Sequence, residues 1–126
     1  MSVIFFIAAG GAIGAVGRHM AIIGVNYWLG QGFPYGTLLV NVAGSFLLGV
    51  LIESLAITWS YSLELRNFFV IGLLGAFTTF SAFSFDIFSL IERGELFIAT
   101  LYAAASVILS VVALFVGILV FRYFIT

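Results

Sequence analysis

Four long apolar runs fill nearly the whole chain, over about 3–29, 37–59, 66–91 and 96–123, with only short polar breaks between them. A helix that crosses the hydrocarbon core of a bilayer needs roughly 20 predominantly apolar residues. Four crossings with short turns therefore consume the 126 residues and predict an all-α membrane protein of one domain, 1–126. The composition agrees: 64% of residues are apolar and 7% charged, whereas soluble domains carry about a quarter charged residues. A soluble enzyme is thereby excluded. The breaks are Gly30-Gln31-Gly32-Phe33-Pro34, Ser60-Tyr61-Ser62-Leu63-Glu64 and Glu92-Arg93-Gly94-Glu95, rich in the residues that punctuate helices. Met1-Ser2-Val3 lacks the basic start of a signal peptide, so the first run is expected to remain in the mature protein.

The third run differs from the others. Its centre, Gly72-Leu73-Leu74-Gly75-Ala76-Phe77-Thr78-Thr79-Phe80-Ser81, is rich in glycine and hydroxyls, which predicts a helix broken near its centre. Elsewhere continuous helices are the economical choice, because each unpaired backbone group in lipid costs several kcal/mol.

Orientation in a membrane is normally set by an excess of Lys and Arg in cytoplasmic loops. Here the cations are Arg18, Arg66, Arg93 and Arg122. With four spans, Arg66 and Arg122 fall on the side of the chain termini and Arg18 and Arg93 on the other, so the tally is even. An even tally predicts insertion in both orientations and pairing of opposite copies as an antiparallel homodimer. The net charge of −1 supplies no basic footprint for a phosphate backbone, so nucleic acid is not expected as a partner. With no cysteine and one histidine, neither a disulfide framework nor a His/Cys metal cluster can be assembled, and no catalytic constellation emerges from the remaining carboxylates.

Several polar patterns carry information. Gly10, Gly11 and Gly14 follow an apolar stretch as in a dinucleotide-binding turn, but that motif needs an acidic residue about 20 positions on, and none precedes Glu53. Small residues spaced by four fit close helix packing instead. Thr37, Asn41 and Ser45 share one face of the second helix, and Tyr102, Ser106 and Ser110 repeat every four residues on the fourth. Such stripes are costly against lipid and must face protein or water; interhelical hydrogen bonding accounts for Asn41 as well as a pore does. Two stripes of neutral donors suit an anion that sheds its water, where a cation path would use acidic or carbonyl rings. Phe80 and Phe83, flanked by Ser81 and Ser84, add rings whose edges are electropositive, although in a chain with fifteen phenylalanines ordinary packing is the stronger account of two at this spacing. These patterns do not by themselves reach a particular anion.

The wording of three segments does. Gly10-Gly11-Ala12-Ile13-Gly14-Ala15 before Arg18, Gly36-Thr37-Leu38-Leu39-Val40-Asn41-Val42-Ala43-Gly44-Ser45-Phe46, and Gly72 through Ser84 with its Thr-Thr-Phe-Ser-x-Phe-Ser block closely resemble the Fluc (CrcB) family of fluoride channels. The resemblance spans essentially the whole chain. It implies a dual-topology, antiparallel homodimer of four-helix subunits in a bacterial-type plasma membrane, passing fluoride through two pores, with a central sodium ion. Carried onto these residues, it makes Phe80 and Phe83 the pore rings, Asn41 a pore-facing amide, and Tyr102, Ser106 and Ser110 a polar track, with Ser81, Ser84 and Thr37 beside them. Gly75 and Thr78 would offer backbone carbonyls to sodium, and Arg18 would sit at a vestibule. Ala82 departs from the family's usual threonine and removes one hydroxyl. His19 is expected at the membrane interface. The competing reading is a small proton-coupled drug exporter, which needs a membrane-embedded carboxylate; Glu53 and Asp86 lie towards segment ends, where solvated or interfacial positions are expected.

Overall fold

The computed structural model describes residues 1–58 and 62–125. Trp59, at the expected end of the second run, and Ser60 and Tyr61 of the second break lie outside the described residues. Four helical spans are long and apolar enough to cross a membrane: Ser2–Leu29, Tyr35–Ile57, Leu63–Glu92 and Leu96–Phe124. Their outward faces are covered with exposed Phe, Ile, Leu and Val, as is required where the solvent is lipid tails rather than water.

Helix α1 is Ser2–Leu29. It stops where Gly30 takes φ +86°, and the Gly30 N–H donates to the Asn26 carbonyl at 2.8 Å. Only a residue without Cβ enters that region at no cost. Helix α2, Tyr35–Thr58, begins two residues before the apolar run does, because the Pro34 carbonyl already accepts the Leu38 N–H at 3.2 Å. The third span starts at Leu63, where Ser62 caps it by accepting the Leu65 N–H at 3.2 Å. It comprises α3 (Leu63–Asn67), a π-helical stretch (Phe68–Leu74), α4 (Gly75–Phe77) and α5 (Phe80–Glu92). Between α4 and α5 the backbone is extended at Thr78 (φ −86°, ψ 156°) and Thr79 (φ −150°, ψ 119°). Helix α6, Leu96–Val120, ends in a π-helical turn, Phe121–Ile125.

Two glycine contacts set the packing. On α1, Gly10 and Gly14 lie directly against the π-helical stretch, where a Cβ would overlap the carbonyls of Phe68 and Leu73. On α2 and α6, Gly49 and Gly117 face each other's helix, a Cβ at either overlapping the carbonyl of Leu114 or Phe46. Close backbone approach of this kind replaces the hydrophobic driving force that lipid removes. The small core is Leu90, Ala99 and Tyr102, with Phe33, Leu38, Phe83, Ile87 and Ile98 packed around it.

Glu53 differs from its expected solvated position. It is 9% exposed and accepts from Arg122, Nε to Oε2 at 2.7 Å and Nη2 to Oε1 at 3.3 Å. A buried carboxylate is tolerable when it is paired in this two-point manner. At the opposite end, Arg93 donates to the Gly32 carbonyl at 3.2 Å and pairs with Glu95 at 3.3 Å, joining two loops.

Candidate functional site

The extended pair Thr78-Thr79 opens one side of the subunit. Here α2, the two halves of the third span and α6 enclose a groove of about 390 Å³, lined among others by Asn41, Ser45, Gly75, Thr78, Phe80, Phe83, Ser106 and Ser110. Gly44 lets α2 press against the interruption, since a Cβ there would overlap the Thr78 methyl. None of the described residues lining the groove is charged.

The interruption is held by named hydrogen bonds. The Thr78 N–H and hydroxyl both donate to the Leu74 carbonyl at 3.1 Å, closing the first half. The Thr79 N–H donates to Asn41 Oδ1 at 2.7 Å, and Asn41 Nδ2 donates to the Thr79 carbonyl at 3.0 Å. The Thr79 hydroxyl caps α5 by accepting the Ala82 N–H at 3.1 Å, the role expected of threonine at a helix start. In an unbroken α-helix the Thr79 and Ala82 amides would bond the carbonyls of Gly75 and Thr78. Both amides are instead spent on side-chain oxygens, which frees those two carbonyls from their helical donors. The donor set therefore fits a hard cation, which takes oxygen ligands.

Phe80, the first residue of α5, is 77% exposed and projects into the groove. Its ring lies 5.4 Å from that of Phe83 at an interplanar angle of 44°, and Phe83 lies 5.2 Å from Tyr102. Ser106 is buried on the groove wall, its hydroxyl beside that of Tyr102.

A second hollow, about 490 Å³, lies at the end of the helices where α1 turns into α2, and is lined by Asn26, Gln31, Thr37, Asp86, Glu92 and Arg93 among others. Tyr102 joins the two spaces: its side chain is fully buried and its hydroxyl donates to Asp86 Oδ2 at 2.9 Å. On the fourth helix Ser106 and Ser110 line the groove, and the buried Tyr102 hydroxyl stands between Ser106 and the hollow's Asp86 and Thr37. The α2 stripe divides, Thr37 at the hollow and Asn41 and Ser45 at the groove. Ser81 pairs with the Thr79 hydroxyl at 3.1 Å and Ser84 donates back to the Phe80 carbonyl at 3.1 Å; both sit beside the rings but bond locally. Arg18 is half-buried on α1 and lines neither space. Sequence reasoning did not single out Thr79 for a role of its own, although threonine three residues before the Ala82 amide is a helix-start signature. The pairing of Asp86 with Tyr102 had no sequence signal.

The model of the family described as CrcB-like protein, Camphor Resistance (CrcB), matches residues 5–118. The chain belongs to the CrcB family. Among its relatives, a protein of Rhodospirillum centenum named fluoride-specific ion channel FluC is 48% identical over 122 residues, covering 97% of each chain. Those of the same name from Nitrobacter winogradskyi and Chelativorans sp. are 50% identical over 119 residues, at 94% of each chain, and 51% identical over 114 residues, at 90% of this chain and 91% of the relative.

Proposed function

We propose that this protein is a fluoride-selective ion channel, not an enzyme, that lets fluoride leave the cell passively and so protects against its toxicity. The observation that carries the reading is the groove itself, where two phenylalanine rings and the Asn41, Ser106 and Ser110 side chains converge with no charged side chain among the described lining residues. A small anion stripped of water is stabilised by ring edges and by O–H and N–H donors. A cationic side chain on the path itself would hold the ion too tightly for conduction, which requires that binding be weak enough to leave. The names of the relatives specify fluoride. Phe80, Phe83, Asn41, Ser106 and Ser110 are assigned to the fluoride path, with Tyr102, Thr37, Ser81 and Ser84 beside it and Arg18 raising local anion concentration.

The groove lies open on the face of a single subunit, and a second copy inserted the opposite way up closes it, giving two pores per dimer in the plasma membrane. Sodium at the centre of the dimer would be held by the freed carbonyls of Gly75 and Thr78 from both copies, where it would tie the two interruptions together. The drug-exporter reading is disfavoured because its candidate carboxylates are engaged, Glu53 by Arg122 and Asp86 by Tyr102.

Liposomes carrying the purified protein are expected to lose fluoride rapidly and chloride hardly at all, read with a fluoride electrode and chloride measured in parallel. Equal efflux of both ions, or silent vesicles, would refute the reading. Topology has its own test. A single cysteine at Gln31, in a chain with none of its own, is expected to react with a membrane-impermeant maleimide from the outside in about half the copies, an even split being what an even charge tally implies. All-or-none labelling rejects dual insertion.

A further inference from the structure

The chemistry of Asn41 is mostly spent before any ion arrives. Its carbonyl accepts from the Thr79 N–H and one of its two Nδ2 hydrogens goes to the Thr79 carbonyl. A primary amide has two such hydrogens, so one remains for the groove. Paired in this way, the Asn41 side chain does for Thr79 what a neighbouring strand does for an extended residue, satisfying N–H and C=O of the same unit. The dihedral angles of Thr79, φ −150° and ψ 119°, are those of such a strand.

From this we infer that Asn41 is a positioning residue, a latch that holds the interruption extended and thereby aims the Phe80 ring. The inference rests on the channel reading and deepens it. Phe80 immediately follows Thr79 and starts α5, so the direction of its Cα–Cβ bond is set by the Thr79 backbone. Being 77% exposed, it has little packing within the subunit to aim it otherwise. The latch also diverts the amide that would otherwise close the helical bond to the Gly75 carbonyl, so both halves of the site depend on it. Asn41 can do this because it stands inside α2, beyond its first turn, where the helix backbone is fixed, and because Gly44 one turn on lets the interruption come close.

The decisive experiment leaves every side chain in place. Incorporating the α-hydroxy acid counterpart of threonine at position 79 replaces the Thr79 N–H by an ester oxygen and deletes the bond to Asn41 Oδ1. The latch predicts that the ratio of fluoride to chloride efflux falls about tenfold, the effect of one hydrogen bond of ordinary strength. Asn41→Ala, which removes both bonds, should lower it about a hundredfold by the same reckoning. In the Asn41→Ala background the ester should then add nothing, because its partner is gone.

An ester that leaves the ratio unchanged with Asn41 present overturns the inference and leaves Asn41 a fluoride donor only. So does an ester effect that persists in full in the Asn41→Ala background, since it would then act through the weakened Thr78 carbonyl. The same cycle read as shifts of the thermal midpoint tests the bond even in a protein that conducts nothing, so silence of the native liposomes sinks the channel reading while the cycle still decides the latch.

Discussion

Replacing both Phe80 and Phe83 by isoleucine will abolish fluoride efflux from liposomes while the protein still purifies as folded particles. Isoleucine is apolar and of nearly comparable bulk, so it keeps the groove walled, but it has no electropositive edge to offer. An edge-directed contact with an aromatic ring is worth up to about 1.5 kcal/mol, so losing two such contacts slows passage by about a hundredfold. Stability should be nearly untouched at Phe80, which packs little within the subunit. Phe83 packs on the Leu90, Ala99 and Tyr102 core, and a large apolar exchange there costs about 1.5 kcal/mol or less. Efflux that continues undiminished, measured with the fluoride electrode, would reject any part for the rings.

The four spans were legible because lipid imposes length and apolarity segment by segment, with no information needed from elsewhere in the chain. The first loop was legible for the same local reason: Gly30 at positive φ and Pro34 mark where one helix must stop and the next begin. The faces of the helices were less so. Apolar residues surround each span, and only sparse polar positions tell inside from outside. Read as a continuous stripe, Thr37, Asn41 and Ser45 gave no sign that the first would line a hollow and the others a groove, which depends on where α5 and the first loop cross them. Ser81 and Ser84 turn their hydroxyls to neighbouring groups, as serine in helices does, and nothing in the spacing distinguishes that from a free donor. Partners distant in the chain were invisible. Asn41 and Thr79 meet 38 positions apart because α2 lies against the interruption, and Glu53 and Arg122 meet 69 apart because α2 and α6, with the π-helical turn that follows it, lie side by side.

That same pairing of α2 with α6 carries the second large effect, expected at Gly49 and Gly117. Substituting valine at Gly117 will prevent the subunit from packing, seen as loss of a monodisperse elution peak in detergent and a strongly lowered thermal midpoint. Two terms oppose each other. Removing a glycine from a helix interior gains up to about 1 kcal/mol in propensity, less for a β-branched residue. Against this, a Cβ at Gly117 overlaps the Phe46 carbonyl and lies 3.0 Å from the Val50 amide nitrogen. These are backbone atoms of a regular helix and cannot swing aside as a flexible side chain would, so the two helices must separate along their length. Overpacking of a core costs roughly 1–3 kcal/mol even where side chains can adjust, and here the contacts of a whole interface go with it, so the steric term wins. Gly49→Val should behave alike, because its Cβ meets the Leu114 carbonyl from the other side. Gly24→Ala is the control: nothing stands within 4 Å of the added methyl, the propensity term acts alone, and the midpoint should hold or rise. A Gly117→Val protein with the native midpoint would mean that these helices are not held by backbone contact, and the groove between α2, the interruption and α6 would lose the wall that shapes it.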